Sequence, residues 1–544
     1  MSILTIDDLR VSYALGRDRV DAVRGLSLTL AAGEVLAVVG ESGSGKTTAA
    51  QAATGLLAAN GRITAGRVRL GELDVTDWDE RRFRAVRGTG IGWIPQDPNA
   101  SLNPVKRIGE SVAEVLRIHR WGDRTARRRR VLELLEYVGI PDPELRAGQF
   151  PHQLSGGMKQ RVLIAGAIAL KPALLIADEA TSALDVTVQQ TILDLIDELR
   201  RDSGTAVLMI THDLAVAADR SDRLLVLKDG VVQESGPTQD VLLNPANPYT
   251  DRLLRDAPAI ATIRVRDAAP VDGPAPVAEG AAEVLLATGL RQEFGRPRAR
   301  QLAVDDVSFR VAAGSTHAIV GESGSGKTTA ARIVLGLQRP TAGSVRILGQ
   351  EMTTLRGAAR RELRRSVQMV SQNPFGSLDP RQRIGEIIAE PLRNYGTDSA
   401  AARRTRTAAM LDRVALPASV LTRLPGELSG GQRQRVSIAR ALILEPGLVV
   451  LDEAVSALDV TVQAQILALL GELQRETGVS YLFISHDLAV VRQLSHTVSV
   501  MSAGRVVESG ATAAVFDAPQ HPVTRGLIDA IPGRRAARAG TFLI

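Results

Sequence analysis

The stretch Gly40-Glu41-Ser42-Gly43-Ser44-Gly45-Lys46-Thr47-Thr48 decides the fold of this 544-residue chain. It follows a short apolar run at residues 35–39 and opens a segment with a helical pattern. Glycines at this spacing let backbone N–H groups curl around phosphate oxygens, and the first turn of the helix adds a partial positive charge. The stretch therefore predicts a phosphate-binding loop (P-loop) between a strand and a helix.

The same nine residues return letter for letter as Gly321-Glu322-Ser323-Gly324-Ser325-Gly326-Lys327-Thr328-Thr329. Three later motifs also recur, each 274 residues further on: residues 154–157 at 428–431, 182–185 at 456–459, and 212–215 at 486–489. A repeat this long is a duplicated domain, because the units of stacked-repeat proteins span about 20–50 residues. We predict a first domain at residues 1–257, an extended Ala/Pro-rich linker at 258–282 and a second domain at 283–544.

Within each half, short apolar strands alternate with longer helical segments. Residues 174–177 and 206–210 have the pattern of buried strands, and residues 186–201 have that of a helix. Such alternation predicts an α/β domain with a mainly parallel sheet flanked by helices. The basic segment 124–138 is interpreted as a helical insertion whose arginines form a solvated face.

Composition narrows the class of protein. The chain has no cysteine, which excludes disulfides, thiol catalysis and cysteine-held zinc or iron–sulfur clusters. No apolar run approaches the ~20 residues that cross a bilayer, and the N-terminus lacks the features of an export signal, so we expect the protein to remain in the cytoplasm. The net charge of +6 arises from 66 basic residues mixed with 60 acidic ones, which favours an ordinary solvated surface over a nucleic-acid or lipid surface.

The P-loop context assigns chemistry to particular side chains. Lys46 should reach the β- and γ-phosphates, and the Thr47 hydroxyl should ligate Mg²⁺. The apolar run 173–177 ends in Asp178 and Glu179, which could simply cap a strand. Because Asp452-Glu453 follows the second P-loop in the same way, we favour a functional pair. The aspartate then belongs to the Mg²⁺ shell, and the glutamate polarises the attacking water.

The stretch Leu154-Ser155-Gly156-Gly157 narrows the range of NTPases, because it resembles the signature of the ATP-binding-cassette (ABC) family, as does Leu428-Ser429-Gly430-Gly431. The resemblance implies two tandem P-loop NTPase domains, each with a mainly parallel core, a β-subdomain and a helical signature subdomain. It also implies further site residues. The Q-loop residues Gln96 and Gln372 would contact Mg²⁺ and the attacking water, and Thr328 and Asp452 would complete the second Mg²⁺ site. The D-loop residues are Asp185 and Asp459, and the switch histidines are His212 and His486. Tyr13 and Phe294 match the aromatic residue that stacks on adenine.

The resemblance further implies how the halves work together. In this family they pair head to tail, so that Ser429 seals ATP on Lys46 and Ser155 seals ATP on Lys327. Both glutamates and both switch histidines are present, so we expect both sites to hydrolyse ATP. Closure on ATP would be the power stroke, and hydrolysis would reset it.

Flanking segments are similar to the peptide/nickel importer group of the family. These are Phe150-Pro151-His152-Gln153, residues 372–380, residues 452–459, and the two tails at 244–250 and 519–527. The resemblance implies a peripheral energy-coupling ATPase at the cytoplasmic face of a bacterial inner membrane. Its partners would be two permease subunits and an extracytoplasmic substrate-binding protein, without nucleic acid, and its ligands ATP and Mg²⁺. Several members of the group also hold an iron–sulfur cluster on cysteines, a feature that this chain lacks because it has no cysteine.

The sequence leaves alternatives open for both the transported solute and the class of protein. Di- and oligopeptides lead, with nickel or another small solute next. A soluble tandem-cassette protein acting on ribosomes or DNA is a competing class, but its members typically carry a long charged helical linker or zinc cysteines, and this chain has neither. Export is disfavoured because exporters usually fuse a membrane domain to each cassette.

Overall fold

A computed structural model describes residues 2–181, 184–257, 259–260, 282–295, 300–396, 399–456 and 458–533. These residues divide into two compact units, one formed by residues up to 260 with 532–533 and the other by residues 282–531. Most of the predicted linker, residue 258 and residues 261–281, lies outside the described residues.

The first unit contains two sheets, eleven α-helices and a short 3₁₀ helix (Pro151–Gln153) among the elements whose bounds the structure describes. Its strands are β1 (Ser2–Leu15), β2 (Asp18–Ala31), β3 (Val35–Val39), β4 (Gly61–Leu70), β5 (Leu73–Asp74), β6 (Ile91–Ile94), β7 (Leu174–Asp178), β8 (Ala206–Ile210), β9 (Arg223–Lys228) and β10 (Val231–Pro237). Its helices are α1 (Lys46–Thr54), α2 (Glu80–Val86), α3 (Pro98–Ser101), α4 (Ile108–Ile118), α5 (Arg124–Tyr137), α6 (Pro143–Ala147), α7 (Gly156–Ala167), α8 (Val186–Ser203), α9 (Leu214–Arg220), α10 (Thr238–Leu243) and α11 (Pro248–Asp256).

The central sheet has the strand order β10-β9-β3-β8-β7-β6, parallel from β9 to β6 with β10 antiparallel at the edge. Every residue of β3, β7 and β8 is buried, as expected for parallel strands covered on both faces. Alternate residues of these strands face two different hydrophobic cores. Val35 and Val207 face the core of α4, α5, α7 and α8, whereas Leu36 and Leu208 face a core shared with α1 and the smaller sheet.

The smaller sheet, β2-β1-β4-β5, is antiparallel. The helical segment from α3 to α7 is separate from this sheet in the chain and contains the signature residues 154–157 at the start of α7. The predicted helix at 124–138 is observed at 124–137 and is capped by Asp123, whose carboxylate accepts from the Ala126 N–H at 2.8 Å.

The second unit repeats this order. Its strands are β11 (Glu283–Phe294), β12 (Gln301–Ala312), β13 (Thr316–Gly321), β14 (Ala342–Ile347), β15 (Gln350–Glu351), β16 (Val367–Val370), β17 (Leu448–Asp452), β18 (Ser480–Ile484), β19 (Thr497–Ser502) and β20 (Arg505–Ala511). Its helices are α12 (Lys327–Val334), α13 (Gly357–Arg365), α14 (Pro374–Ser377), α15 (Ile384–Tyr395), α16 (Ala400–Arg413), α17 (Gly430–Leu442), α18 (Val460–Thr477), α19 (Leu488–Leu494), α20 (Thr512–Asp517) and α21 (Pro522–Asp529).

Its sheets have the orders β12-β11-β14-β15 and β16-β17-β18-β13-β19-β20, the second parallel from β16 to β19. The predicted α/β architecture with a mainly parallel core is therefore confirmed in both units. Over the part of the chain that the structure describes, no helix combines the length and the apolar character needed to span a bilayer.

Candidate functional site

The P-loop of the first unit lies between β3 and α1, where the parallel strands end. Gly40 has φ 150° and Gly45 has φ 99°, both in the region that favours glycine. A Cβ on Gly40 would lie 2.0 Å from the Leu227 carbonyl oxygen, and one on Gly45 would lie 2.4 Å from that of Ala22. The loop therefore needs glycine at these positions for conformation and for space.

Two polar side chains inside this loop are placed where they could bind an anion. The Lys46 side chain is 6% exposed, and its ammonium donates to the carbonyl oxygens of Gly40 at 2.7 Å and Glu41 at 2.8 Å. The Ser44 hydroxyl is buried and makes no hydrogen bond to any residue that the structure describes. A buried hydroxyl without a partner costs about 1–3 kcal/mol, and a phosphate oxygen would remove that cost.

The acid pair lies at the end of β7. Thr47 Oγ1 donates to Asp178 Oδ1 at 2.9 Å, which brings two oxygen ligands together at the start of α1. Burial raises the pKa of Asp178, with a further contribution from the charge of Glu179. Glu179 has φ 46°, a left-handed conformation that is strained for a residue with a Cβ, and its N–H is held by the Ile210 carbonyl at 2.9 Å.

Glu179 is the centre of the site. Its carboxylate accepts from Gln96 Nε2 at 2.6 Å and lies 3.4 Å from His212 Nδ1. Burial acts to raise the pKa of Glu179, but the hydrogen bond and charge of His212, with Lys46 behind them, hold it below its usual value. The same contact raises the pKa of His212 against the opposing effect of burial. The carboxylate therefore stays ionised, as a base that accepts a proton from water must be.

The second unit reproduces this arrangement. Lys327 donates to Gly321 O at 2.7 Å and Glu322 O at 2.8 Å, and the Ser325 hydroxyl is again buried without a partner among the described residues. Gln372 Nε2 donates to Glu453 at 2.6 Å, and His486 Nδ1 lies 3.4 Å from the same carboxylate. Glu453 also has a left-handed backbone, with φ 49°.

One difference lies beside the second aspartate. Burial and the charge of Glu453 raise the pKa of Asp452, and Arg332 and Lys327 oppose them. Arg332 stands five residues after the P-loop lysine, where the first unit has Gln51. The second site therefore has one more cation acting on its aspartate than the first.

The signature serines cap helices. Ser155 Oγ accepts from Met158 N–H, and Ser429 Oγ accepts from Gln432 N–H, each at 3.3 Å. Both serines are exposed, and no hydrogen bond within the described residues joins either one to the P-loop of its own unit. Gly157 and Gly431 allow close packing of these helices, since a Cβ would lie 2.8 Å from Val188 and 2.4 Å from Val462.

The remaining predicted residues lie at the edges of the site. Asp185 and Asp459 precede α8 and α18 as N-caps, while Ser182, Ala183 and Ala457 of the same loops lie outside the described residues. The Tyr13 hydroxyl reaches Thr48 Oγ1 at 3.4 Å, whereas Phe294 is 44% exposed. Their role in stacking on adenine stays a prediction.

Sequence reasoning missed a buried glutamine on the signature helix. Gln160 is 1% exposed, and its amide points to the Pro95 carbonyl at 3.5 Å, next to Gln96. A glutamine repeated at 434 on an otherwise apolar helix face was the available signal. No cluster of three or more His, Cys, Asp or Glu side chains fit to hold a metal occurs in the part of the chain that is described.

Family comparisons agree with this geometry. The family model for ABC transporters matches residues 23–182 and 304–456, and that for the C-terminal region of oligopeptide/dipeptide transporters matches 233–278 and 507–541. The chain therefore belongs to the ABC transporter family, as a transporter ATPase with two cassettes. The predicted family and class are confirmed.

Individual relatives cover nearly the whole chain. The glutathione import ATP-binding protein GsiA of Salmonella typhimurium is 42% identical, over 97% of this chain and 89% of that protein. The GsiA proteins of Pectobacterium atrosepticum and Escherichia coli K12 are 43% and 40% identical, covering 97% and 99% of this chain and 89% and 90% of those proteins.

Proposed function

We propose that this chain hydrolyses ATP at two sites to power the import of short peptides. The proposal of ATP hydrolysis rests on a cluster of side chains that occurs in both units. In each, an ionised glutamate at the end of a central strand contacts the Q-loop glutamine and the switch histidine. The same glutamate follows an aspartate beside the P-loop. This arrangement provides a base next to a phosphate cradle.

Each side chain has one task in this proposal. Residues 40–48 and 321–329 cradle the phosphates, and the lysine ammonium exchanges its two loop carbonyls for phosphate oxygens. Glu179 and Glu453 accept the proton of the attacking water, because phosphoryl transfer depends on a positioned nucleophile. His212 and His486 orient these carboxylates and donate toward the γ-phosphate.

Mg²⁺ fits the oxygen ligands that are present. A threonine hydroxyl and an aspartate carboxylate lie 2.9 Å apart in the first unit, and hard oxygen donors of this kind suit Mg²⁺, which takes its remaining ligands from water and phosphate. Thr47, Asp178 and Gln96 would hold it in the first unit, and Thr328, Asp452 and Gln372 in the second. When bound, it neutralises charge on the β- and γ-phosphate oxygens.

The exposed signature serines support pairing of the two halves within one chain. Each caps a helix N-terminus, a place where backbone N–H groups bind phosphate, yet among the described residues neither bonds to its own P-loop. We propose that Ser429 completes the Lys46 site and that Ser155 completes the Lys327 site. Asp185 and Asp459 would then lie beside the shared nucleotides, and Tyr13 and Phe294 would stack on the adenines.

The cargo proposal rests on the relatives. Matches to the oligopeptide/dipeptide C-terminal region occur in both halves, and the named relatives import glutathione, a tripeptide. Two permease subunits and an extracytoplasmic binding protein would supply the pathway and the selectivity. The chain would then work as a peripheral subunit at the cytoplasmic face of the membrane.

Uptake by a deletion strain tests the proposal. Labelled glutathione, a dipeptide and a pentapeptide are offered to cells carrying the wild-type chain or the double variant Glu179→Gln/Glu453→Gln. We expect the wild-type chain to restore uptake of at least one peptide and the double variant to restore none. Failure of all three labels with the wild-type chain, or ribosomal proteins instead of two membrane proteins in a detergent pull-down, would contradict it.

A further inference from the structure

A buried glutamine lies in the first turn of the helix that follows each acid pair. Gln189 of α8 is 8% exposed, and Gln463 of α18 is 9% exposed. The two occupy equivalent positions, since each stands ten residues after the glutamate at 179 or 453. A buried amide without a hydrogen-bond partner is destabilising, so each glutamine needs an acceptor close to it. The two units provide different acceptors.

In the first unit, the acceptor lies on the loop that leaves the reacting centre. Gln189 Nε2 donates to Thr181 Oγ1 at 3.2 Å, and both side chains are buried. Thr181 is the second residue after Glu179, whose left-handed backbone at φ 46° persists only when its surroundings hold it. The Thr181 carbonyl also accepts from Leu184 N–H at 3.2 Å. The bond therefore joins the chain just beyond the glutamate to α8.

In the second unit, Val455 stands where the first has Thr181. Val455 is 2% exposed, and its methyl groups cannot accept a hydrogen bond, whereas a threonine hydroxyl of nearly the same shape can. Gln463 Nε2 donates instead to Asp487 Oδ2 at 3.5 Å. The residue at position 181 or 455 therefore selects the partner of the glutamine.

Asp487 connects this contact to the switch histidine. Its other carboxylate oxygen caps α19 by accepting from Ala489 N–H at 2.9 Å and Val490 N–H at 3.2 Å. His486 directly precedes Asp487, and its Nδ1 lies 3.4 Å from the Glu453 carboxylate. The glutamine of the second unit therefore supports the histidine side of the reacting pair, whereas that of the first unit supports the glutamate side.

We propose that these two glutamines are positioning residues for ATP hydrolysis that act on different members of the glutamate–histidine pair. Gln189 acts through Thr181 on the base of the first site, and Gln463 acts through Asp487 on the switch histidine of the second. A displaced base or histidine slows the chemical step, so the loss should fall on kcat and leave KM for ATP unchanged. The inference rests on the proposed hydrolysis of ATP at both sites.

Steady-state ATP hydrolysis by the full chain tests the first half of the proposal. In a Glu453→Gln background, where the first site is the one that turns over, Gln189→Leu and Thr181→Val should each lower kcat by about threefold to tenfold, the effect of one hydrogen bond. Because both break the same bond, the double variant should lose no more than either single one. Thr181→Ser, which keeps the hydroxyl, should retain the rate. With both glutamates present, the loss should be smaller because the second site still turns over.

Gln190→Leu is the matched control. Gln190 follows Gln189 on α8 and is half-buried, and leucine at this position should leave kcat unchanged. A role of Gln189 confined to structure would lower the melting temperature of Gln189→Leu and leave its kcat as it was, which would overturn the proposal. An equal loss of kcat in Gln190→Leu would overturn it as well. Should Gln189→Leu not fold, Thr181→Val tests the same bond.

The second unit tests the other half. In a Glu179→Gln background, Gln463→Leu should lower kcat by a similar factor, whereas Gln465→Leu, at an exposed position of α18, should not. Asp487→Ser keeps a residue that can cap α19 and removes the oxygen that Gln463 bonds. Combining it with Gln463→Leu should therefore add no further loss. Additive losses, or an unchanged kcat in Gln463→Leu, would reject the role assigned to this glutamine.

Failure of the proposed function would give a different result. A chain with both glutamates intact that hydrolyses no ATP would contradict the proposed function itself. A normal rate that Gln189→Leu and Gln463→Leu leave unchanged would reject this inference alone.

Discussion

The two units share the contacts of the P-loop lysine, the glutamine and the histidine at the reacting centre and differ in what surrounds it. In both, a glutamine at 2.6 Å and a histidine at 3.4 Å flank the glutamate that follows the last central-strand residue. Around this shared centre, the first unit has Gln51, Arg220 and Tyr249, where the second has Arg332, Leu494 and Val523. The duplicated units have the same side chains at the reacting centre, whereas the residues around it differ. Each unit can therefore serve as the control for the other.

The largest expected effect concerns the shared centre. Glu179→Gln and Glu453→Gln should each reduce hydrolysis at their own site by about a hundredfold or more, because each removes a positioned base. Steady-state release of phosphate measures this in each single variant, where the other site still turns over, and in the double variant, where the full factor should be seen. Comparable losses would establish two equivalent sites, whereas a variant with an unchanged rate would identify a site that does not turn over.

A second comparison concerns buried charge. The Arg220 side chain is 3% exposed and lies 2.7 Å from Asp194 and 2.6 Å from Asp197, which joins α9 to α8, whereas the second unit has Leu494, Ala468 and Gly471. Arg220→Leu removes the buried cation from two partly exposed carboxylates and should destabilise the first unit by about 1–3 kcal/mol. Denaturant unfolding of the full chain, followed through the transition of the first unit, measures it.

Matched variants sharpen this comparison. Asp194→Ala/Asp197→Ala/Arg220→Leu, which approaches the composition of the second unit, should recover most of the loss because the carboxylates are removed together with their cation. Arg252→Leu removes an exposed pair with Asp256 and should change stability by less than about 1 kcal/mol. A triple variant as unstable as the single one would show that the ion cluster is itself required for folding.

A third comparison is acid sensitivity. His317 stands in β13 where the first unit has Leu36, is 3% exposed, stacks on Phe309 and bonds Thr497 at 2.8 Å. Burial lowers the pKa of His317 to about 4. Its unfolded value is about 6.5, so the unfolded chain binds the proton first and stability is lost as pH falls from about 6.5 to about 4.

The expected loss in the second unit at pH 5 is about 2 kcal/mol relative to pH 8. His317→Leu should flatten this dependence whatever its effect at neutral pH, and Leu36→Val in the first unit is the control. Thermal unfolding at several pH values measures both. An unchanged slope in His317→Leu would assign the acid sensitivity to other groups.

The smallest expected effect concerns the signature helices. In the second unit, Gln432 Oε1 accepts from the Ser429 N–H at 3.1 Å, which completes a capping box, while the first unit has Met158 at that position. Met158→Gln should therefore stabilise the start of α7 by about 0.5–1 kcal/mol. Hydrogen exchange of the amides at residues 156–160 measures the gain, and Gln432→Met should reverse it at residues 430–434.

The features that could be predicted from the sequence are those that depend on residues close together in the chain. The P-loop glycines, the acid pair after an apolar strand and the serine caps could be recognised because each needs a particular residue at a fixed place on one element. Contacts between distant segments could not be predicted in this way. The bond from Gln96 to Glu179 spans 83 residues, and the bond from the Gly230 N–H to Ser44 O spans 186 (230−44). Both depend on strand order, which a single strand's pattern does not encode.

The left-handed backbone at Glu179 and Glu453 has an evolutionary consequence. At φ 46° and 49°, the backbone strain is of order 1 kcal/mol, and glycine is the residue that would relieve it. The glutamate that we propose as the base is kept in both halves against this cost, which a requirement for stability alone would not maintain.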